Sequence, residues 1–138
     1  MKLCSACLLG IKCRYDGSDK ANEKVLALAK KETLVPVCPE QLRGLLTPRE
    51  QTEIRGDRVF TKSGVDVTAN FKIGAEQVLK IAKARGITTA ILKQKSPSCG
   101  CGKIYDGTFS GVMIEGDGVM TKLLKKNGIE VLTEDDLY

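Results

Sequence analysis

The residues of this chain best suited to chemistry are its cysteines, six among 138 residues, and it contains no histidine. Without histidine there are no Ser-His or Cys-His nucleophile pairs, no imidazole metal ligands and no histidine general base. Proton transfer falls to Asp, Glu, Lys, Tyr, Cys or water. A free buried cysteine is ordinarily a small apolar residue, and that describes Cys4, which lies inside an apolar run. Cys7, Cys38 and Cys99 differ, because each falls at or just beyond the end of an expected strand. Structural zinc wants four ligands, usually as two close pairs. Cys4-Ser-Ala-Cys7 has one such spacing, but alternation along a strand turns its two thiols to opposite faces. Cys99-Gly-Cys101 is too tight for a zinc knuckle. An iron–sulfur cluster also takes thiolates, ordinarily four; with three, one iron keeps an open Lewis-acid position. Cys13 stands as an alternative ligand or a neighbouring thiol, and Cys101 as a spare.

Gathering these thiols requires a particular order of elements. The run from Lys2 to Leu9 reads as a buried first strand that turns at Gly10. From Asp19 to Lys31 the chain reads as a helix capped by Ser18 or Asp19, with Val25, Leu26, Leu28 and Ala29 as its apolar stripe. Thr33 to Cys38 forms a second strand stopped by Pro39, followed by a loop from Glu40 to Pro48 with room for one helical turn. Glu53 to Thr61 reads as a hairpin around Gly56-Asp57. Thr68 caps the strongest helix; Phe71, Ala75, Val78, Leu79 and Ala82 share one face, and Gly86 ends it. A third strand from Thr88 to Leu92 leads into a polar loop and then an irregular Gly-rich stretch from Gly102 to Gly111. A helix from Gly118 to Asn127 and a strand from Ile129 to Leu132 complete the chain.

Apolar strands alternating with helices predict an α/β fold, a Rossmann-like or flavodoxin-like three-layer domain with a mainly parallel sheet. The expectation is one domain over residues 1–138. Ligands of such sheets bind beyond the carboxyl ends of the strands. With neighbouring strands about 4.8 Å apart, Cys7, Cys38 and Cys99 would share one rim.

Composition narrows the function further. With 22 Lys+Arg against 17 Asp+Glu, 42% hydrophobic and 28% charged residues, the chain is neither disordered nor fibrous. The net charge of +5 is mild, and three Phe, three Tyr and no Trp offer few stacking platforms, so nucleic-acid binding is not indicated. No run approaches the roughly 18 apolar residues of a membrane span. The N-terminal apolar stretch is cut short by Lys12 and Arg14, and Cys13-Arg-Tyr-Asp-Gly17 is a poor cleavage site. The expected location is cytoplasmic, where thiols stay reduced, and six of them there call for a metal or redox role.

Five blocks then fall in order along the chain: Ser5-Ala-Cys-Leu-Leu-Gly10, Cys13-Arg-Tyr-Asp-Gly17, Cys38-Pro-Glu40, Ser96-Pro-Ser-Cys-Gly100 and Asp106-Gly-Thr-Phe109. Together they closely resemble the thiouracil desulfidase (TudS) family over nearly the whole length. The resemblance implies a 4Fe-4S cluster held by three cysteines and hydrolytic removal of sulfur from a small-molecule thiolated pyrimidine base. Carried over motif by motif, the ligands are Cys7, Cys38 and Cys99, with Cys13 as the alternative first ligand, and the acid–base pair is Glu40 and Ser96. The chemistry is consistent with that implication. Thiocarbonyl sulfur is soft and suits an open iron. Glu40, two residues past Cys38, is placed to accept a proton from water, and Ser96 to hydrogen-bond the base or relay the proton. The competing reading is a small thiol module for zinc binding, sulfide transfer or disulfide exchange, without a catalytic cluster.

Overall fold

A computed structural model describes residues 1–42 and 44–137. In chain order it runs β1 (Lys2–Ser5), a 3-10 turn (Ala6–Leu9), α1 (Glu23–Ala29), β2 (Leu34–Val37), α2 (Pro39–Leu42), β3 (Thr52–Arg55) and β4 (Arg58–Thr61). It continues with α3 (Thr68–Arg85), β5 (Thr89–Leu92), β6 (Lys103–Tyr105), β7 (Met113–Glu115), α4 (Val119–Lys126) and β8 (Glu130–Thr133). Four strands form one sheet in the order β2-β1-β5-β8, every pair parallel. Successive residues serve opposite faces. Leu3, Ala90 and Leu92 pack with Ala75, Val78 and Ala82 of α3 and with Met120 and Leu124 of α4. Cys4 and Ile91 face the other way, onto Leu8 and Val25. Helix, sheet and helix make the three layers, and covering both faces is why the strands read as unbroken apolar runs.

The long helix α3 buries Phe71, Ala75, Val78 and Ala82 at helical spacing and stops at Gly86, where φ is +65°. Its entrance differs from expectation. Thr68 is the first helical residue, and the Asp66 carboxylate accepts its N–H and its hydroxyl proton. The Thr68 oxygen is thereby free to accept the Val59 N–H at 2.8 Å, which ties the β3–β4 hairpin to the helix.

Three other expectations are corrected. The run from Lys2 to Leu9 is not one strand: pairing with β2 ends at Ser5, and Ala6–Leu9 wind into a buried 3-10 turn closed by Gly10 at φ +91°. An apolar run serves a buried turn as well as a strand, so periodicity does not separate them. The first helix starts at Glu23 rather than Asp19, with the Asn22 side chain accepting from the Lys24 and Val25 amides. The preceding residues are committed elsewhere, Lys20 and Asn22 donating to the carbonyls of Cys7 and Leu8. Of the expected stripe, Val25 is fully buried and Leu28 partly, while Leu26 and Ala29 are exposed. The stretch from Gly102 to Gly111 contains β6, which pairs antiparallel with β7.

Two glycines press the helices onto the rim of the sheet. A Cβ on Gly74 of α3 would lie 2.1 Å from the Pro39 carbonyl oxygen, next to Cys38. A Cβ on Gly118, at the start of α4, would lie 2.4 Å from the Ser98 carbonyl, next to Cys99. Replacing a glycine inside a helix, as at Gly74, by alanine gains about 1 kcal/mol of propensity, whereas Gly118 is an N-cap, where that gain is absent; at both, overlap with backbone at these distances forces one element to move. Gly74→Ala and Gly118→Ala should each lose about 1–3 kcal/mol net, the usual cost of overpacking. Urea unfolding measures this, with the exposed Glu76→Ala as a control expected within about 0.5 kcal/mol of the parent. Alanine variants as stable as the parent would show that these contacts do not set the loops.

Candidate active site

Each sulfur reaches the rim by a different route. Cys7 sits in the 3-10 turn after β1, Cys38 directly follows β2, and Cys99 lies in the loop after β5. All three line one cavity of about 360 Å³, and Cys13, Glu40 and Ser96 line it too. That volume falls in the range of small-molecule sites, roughly 300–1,000 Å³. The Cys38 thiol lies 3.9 Å from the Cys13 carbonyl oxygen, and the Cys13 thiol interacts with those of both Cys7 and Cys38. The Cys99 thiol meets the hydroxyls of Ser5 and Ser96. Four thiols therefore surround the cavity. Cys4 and Cys101 do not line it. Cys4 is fully buried in the sheet with its thiol toward the Ser5 carbonyl, and Cys101 is partly exposed beside Lys125.

Burial pushes the Cys99 thiol up to about 12, overriding the two hydroxyls that favour its anion. Cys13 is raised to about 11: contact with Cys38 favours its anion, but contact with Cys7 and burial together outweigh that. Cys38 is raised by its contact with Cys13 and then by burial. Cys4 rises to about 12 through burial and the nearby Glu134 carboxylate. At neutral pH these sulfurs are thiols, and a metal would have to displace their protons.

The donor set is all sulfur, which suits iron–sulfur chemistry. Among the described residues no three Cys, Asp, Glu or His side chains converge on one point closely enough to share a single metal ion.

Glu40 projects from the first turn of α2. Arg49 grips its Oε2 twice, from Nε at 2.7 Å and Nη2 at 2.6 Å. Ser96 Oγ accepts the amides of Ser98 and Cys99, both at 3.1 Å, and so caps the turn that carries Cys99. The turn is held at its base by Gln94, whose side chain pairs with both backbone groups of Cys101, at 2.7 and 2.8 Å. The motif from Asp106 to Phe109 is held by Glu53, only 2% exposed, whose Oε1 accepts the amides of Gly107 and Phe109. Sequence reasoning missed Arg49, Gln94 and Glu53. Each acts across a loop or between elements, on a partner from seven to 56 residues away, and the one available signal was a lone acid inside the alternating hairpin strand Thr52–Arg55.

No helix among the described residues is long and apolar enough to cross a membrane. Residues 3–136 match the family model described as 2-thiouracil desulfurase. The chain is similar to YbbK of Bacillus subtilis (strain 168), described as an uncharacterized protein, with 46% identity over 147 aligned residues that cover 99% of this chain and 97% of that one. It is also similar to a solved structure described as the 4Fe-4S-dependent thiouracil desulfidase TudS (DUF523Vcz). There the identity is 47%, the coverage 99% of this chain and 91% of that one, and the TM-score 0.94. The match covers nearly every residue, on a fold that brings the sulfur-bearing blocks to one cavity. The chain belongs to the 2-thiouracil desulfurase family.

Proposed function

We propose that the protein is an iron–sulfur-dependent desulfidase that hydrolyses the thiocarbonyl of a thiouracil-like base. Sulfur is exchanged for oxygen: C=S and water become C=O and hydrogen sulfide. No electrons are gained or lost, so the net reaction needs no redox partner. The observation that carries this reading is the convergence of Cys7, Cys38 and Cys99 from three strand ends on a cavity that also holds Glu40. Membership in the family and the likeness to a 4Fe-4S-dependent desulfidase support it.

Cys7, Cys38 and Cys99 are the proposed ligands, with Cys13 as a thiol close to two of them. A 4Fe-4S cluster held by three cysteines supplies, when bound, a soft Lewis-acidic iron with an open position suited to a thiocarbonyl sulfur. The remaining work belongs to the side chains. With Oε2 of Glu40 held by Arg49, Oε1 is the oxygen left to take a proton from the attacking water. The Ser96 oxygen is occupied as an acceptor by two amides, which leaves its one proton to donate, to the Cys99 sulfur when no substrate is present and to the base or the departing sulfur when one is. Tyr15 and Tyr105 on the cavity wall supply aromatic surface for a planar ring. The partner is a small thiolated base, and the proposed setting is the reducing cytoplasm.

Two measurements test this reading. After anaerobic reconstitution, Cys7→Ala, Cys38→Ala and Cys99→Ala should lose most of their bound iron, while Cys13→Ala keeps it. Iron retained in Cys7→Ala but lost from Cys13→Ala would make Cys13 the first ligand. Sulfide release from 2-thiouracil and 4-thiouracil measures the activity itself. Glu40→Gln should keep its iron yet turn over about 10²–10⁴-fold more slowly, the share of a positioned proton acceptor. A fully loaded parent protein that releases no sulfide from any thiolated pyrimidine base would rule out the activity.

A further inference from the structure

Arg49 makes more of the site than its place in a loop suggests. Its side chain is 10% exposed and that of Glu40 13%. Besides its two contacts to Glu40 Oε2, Nη2 donates to the Cys13 carbonyl at 2.9 Å and Nη1 to Thr47 Oγ1 at 3.0 Å. The Arg49 backbone amide donates to the Tyr15 carbonyl at 2.6 Å. One residue thus joins α2, the loop carrying Cys13 and its own loop. Exposed ion pairs hold geometry weakly, and a buried pair is poor evidence for stability, because apolar residues of similar volume often do as well. What a buried fork does supply is orientation: a guanidinium fixes planar partners at several points, where an ammonium offers one point charge.

We infer that Arg49 is the positioning residue for Glu40: it anchors Oε2 so that Oε1 is presented to the attacking water, and its bond to the Cys13 carbonyl sets that carboxylate relative to the thiols. Among the described residues no hydrogen bond claims Oε1. The inference rests on Glu40 being the proton acceptor proposed above.

The test uses the reconstituted full chain with 2-thiouracil or 4-thiouracil, whichever the parent turns over faster. It compares the parent, Glu40→Gln, Arg49→Lys, Arg49→Ala and the double variant Arg49→Ala/Glu40→Gln. Both Arg49 variants should keep their iron, hold KM within about threefold, and lose kcat by about 10–100-fold, as expected when a reacting group is misplaced. Guanidinium ion added to Arg49→Ala should restore part of the rate and do nothing for Glu40→Gln. The double variant should be no slower than Glu40→Gln alone, because the two residues act as one unit. In the metal-free chain, amide exchange over residues 13–17 should quicken in Arg49→Ala. A full-rate Arg49→Ala, a double variant slowed by the product of both effects, or loss of iron from both Arg49 variants would overturn the positioning role alone. A parent-like rate in Glu40→Gln would instead remove the proton acceptor, and the role of Arg49 with it.

Discussion

Three thiols from distant parts of the chain meet only because β2, β1 and β5 are parallel neighbours, so that their carboxyl ends share one edge. Each strand contributes four residues to the sheet, and the segment that leaves it carries the cysteine. β1 pairs with β2 from Lys2 to Ser5 and with β5 through Leu3 and Cys4, which fixes how far each cysteine stands beyond the sheet. A slip of one residue would turn every side chain of a strand to the opposite face. Leu3, Ala90 and Leu92 fill one packed layer and Cys4 and Ile91 the other, so a slip would exchange side chains of unequal volume between two close-packed faces. The core is therefore what sets the cavity.

The site costs stability that the core must offset. Cys99 and Cys13 are buried, and their thiols are pushed up to about 12 and about 11. Donating them to a metal means releasing protons and gathering negative charge in a poorly solvated place. The hydroxyls of Ser5 and Ser96 against Cys99 ease that burden, and outer-shell hydrogen bonds of this kind tune sulfur ligands in metal sites generally. The Ser98 hydroxyl, 1% exposed and with no hydrogen-bond partner among the described residues, is a further local cost beside Cys99. A chain selected for activity retains such features when the rest of the fold tolerates them.

Much of the fold was legible because the central strands are covered on both faces and read as uninterrupted apolar runs, while α3 repeats its buried positions at Phe71, Ala75, Val78 and Ala82. The same rule misled at Ala6–Leu9, where an equally apolar segment is a 3-10 turn. That turn matters chemically, because Cys7 escapes the strand alternation that would have set it opposite Cys4. The residues placed at the site from sequence are those with local motifs: Cys38 before Pro39 and Glu40, and Ser96 before Cys99. Arg49 had no such signal. Its partners are Glu40, nine residues back, and the Cys13 carbonyl, 36 residues back. Only the packing of three loops brings them together. Gln94 is similar, closing the Cys99 loop through the backbone of Cys101.

We propose that the rim of the parallel sheet holds a 4Fe-4S cluster through Cys7, Cys38 and Cys99. An anaerobic crystal structure of the reconstituted protein, with diffraction collected at the iron absorption edge, tests it most directly. Iron anomalous peaks are expected inside the cavity, bonded to those three sulfurs and lying beside Glu40, with one iron bearing no protein ligand. Iron bound through all four cavity thiols, iron held outside the cavity by Cys4 or Cys101, or a single metal ion in place of a cluster would contradict it.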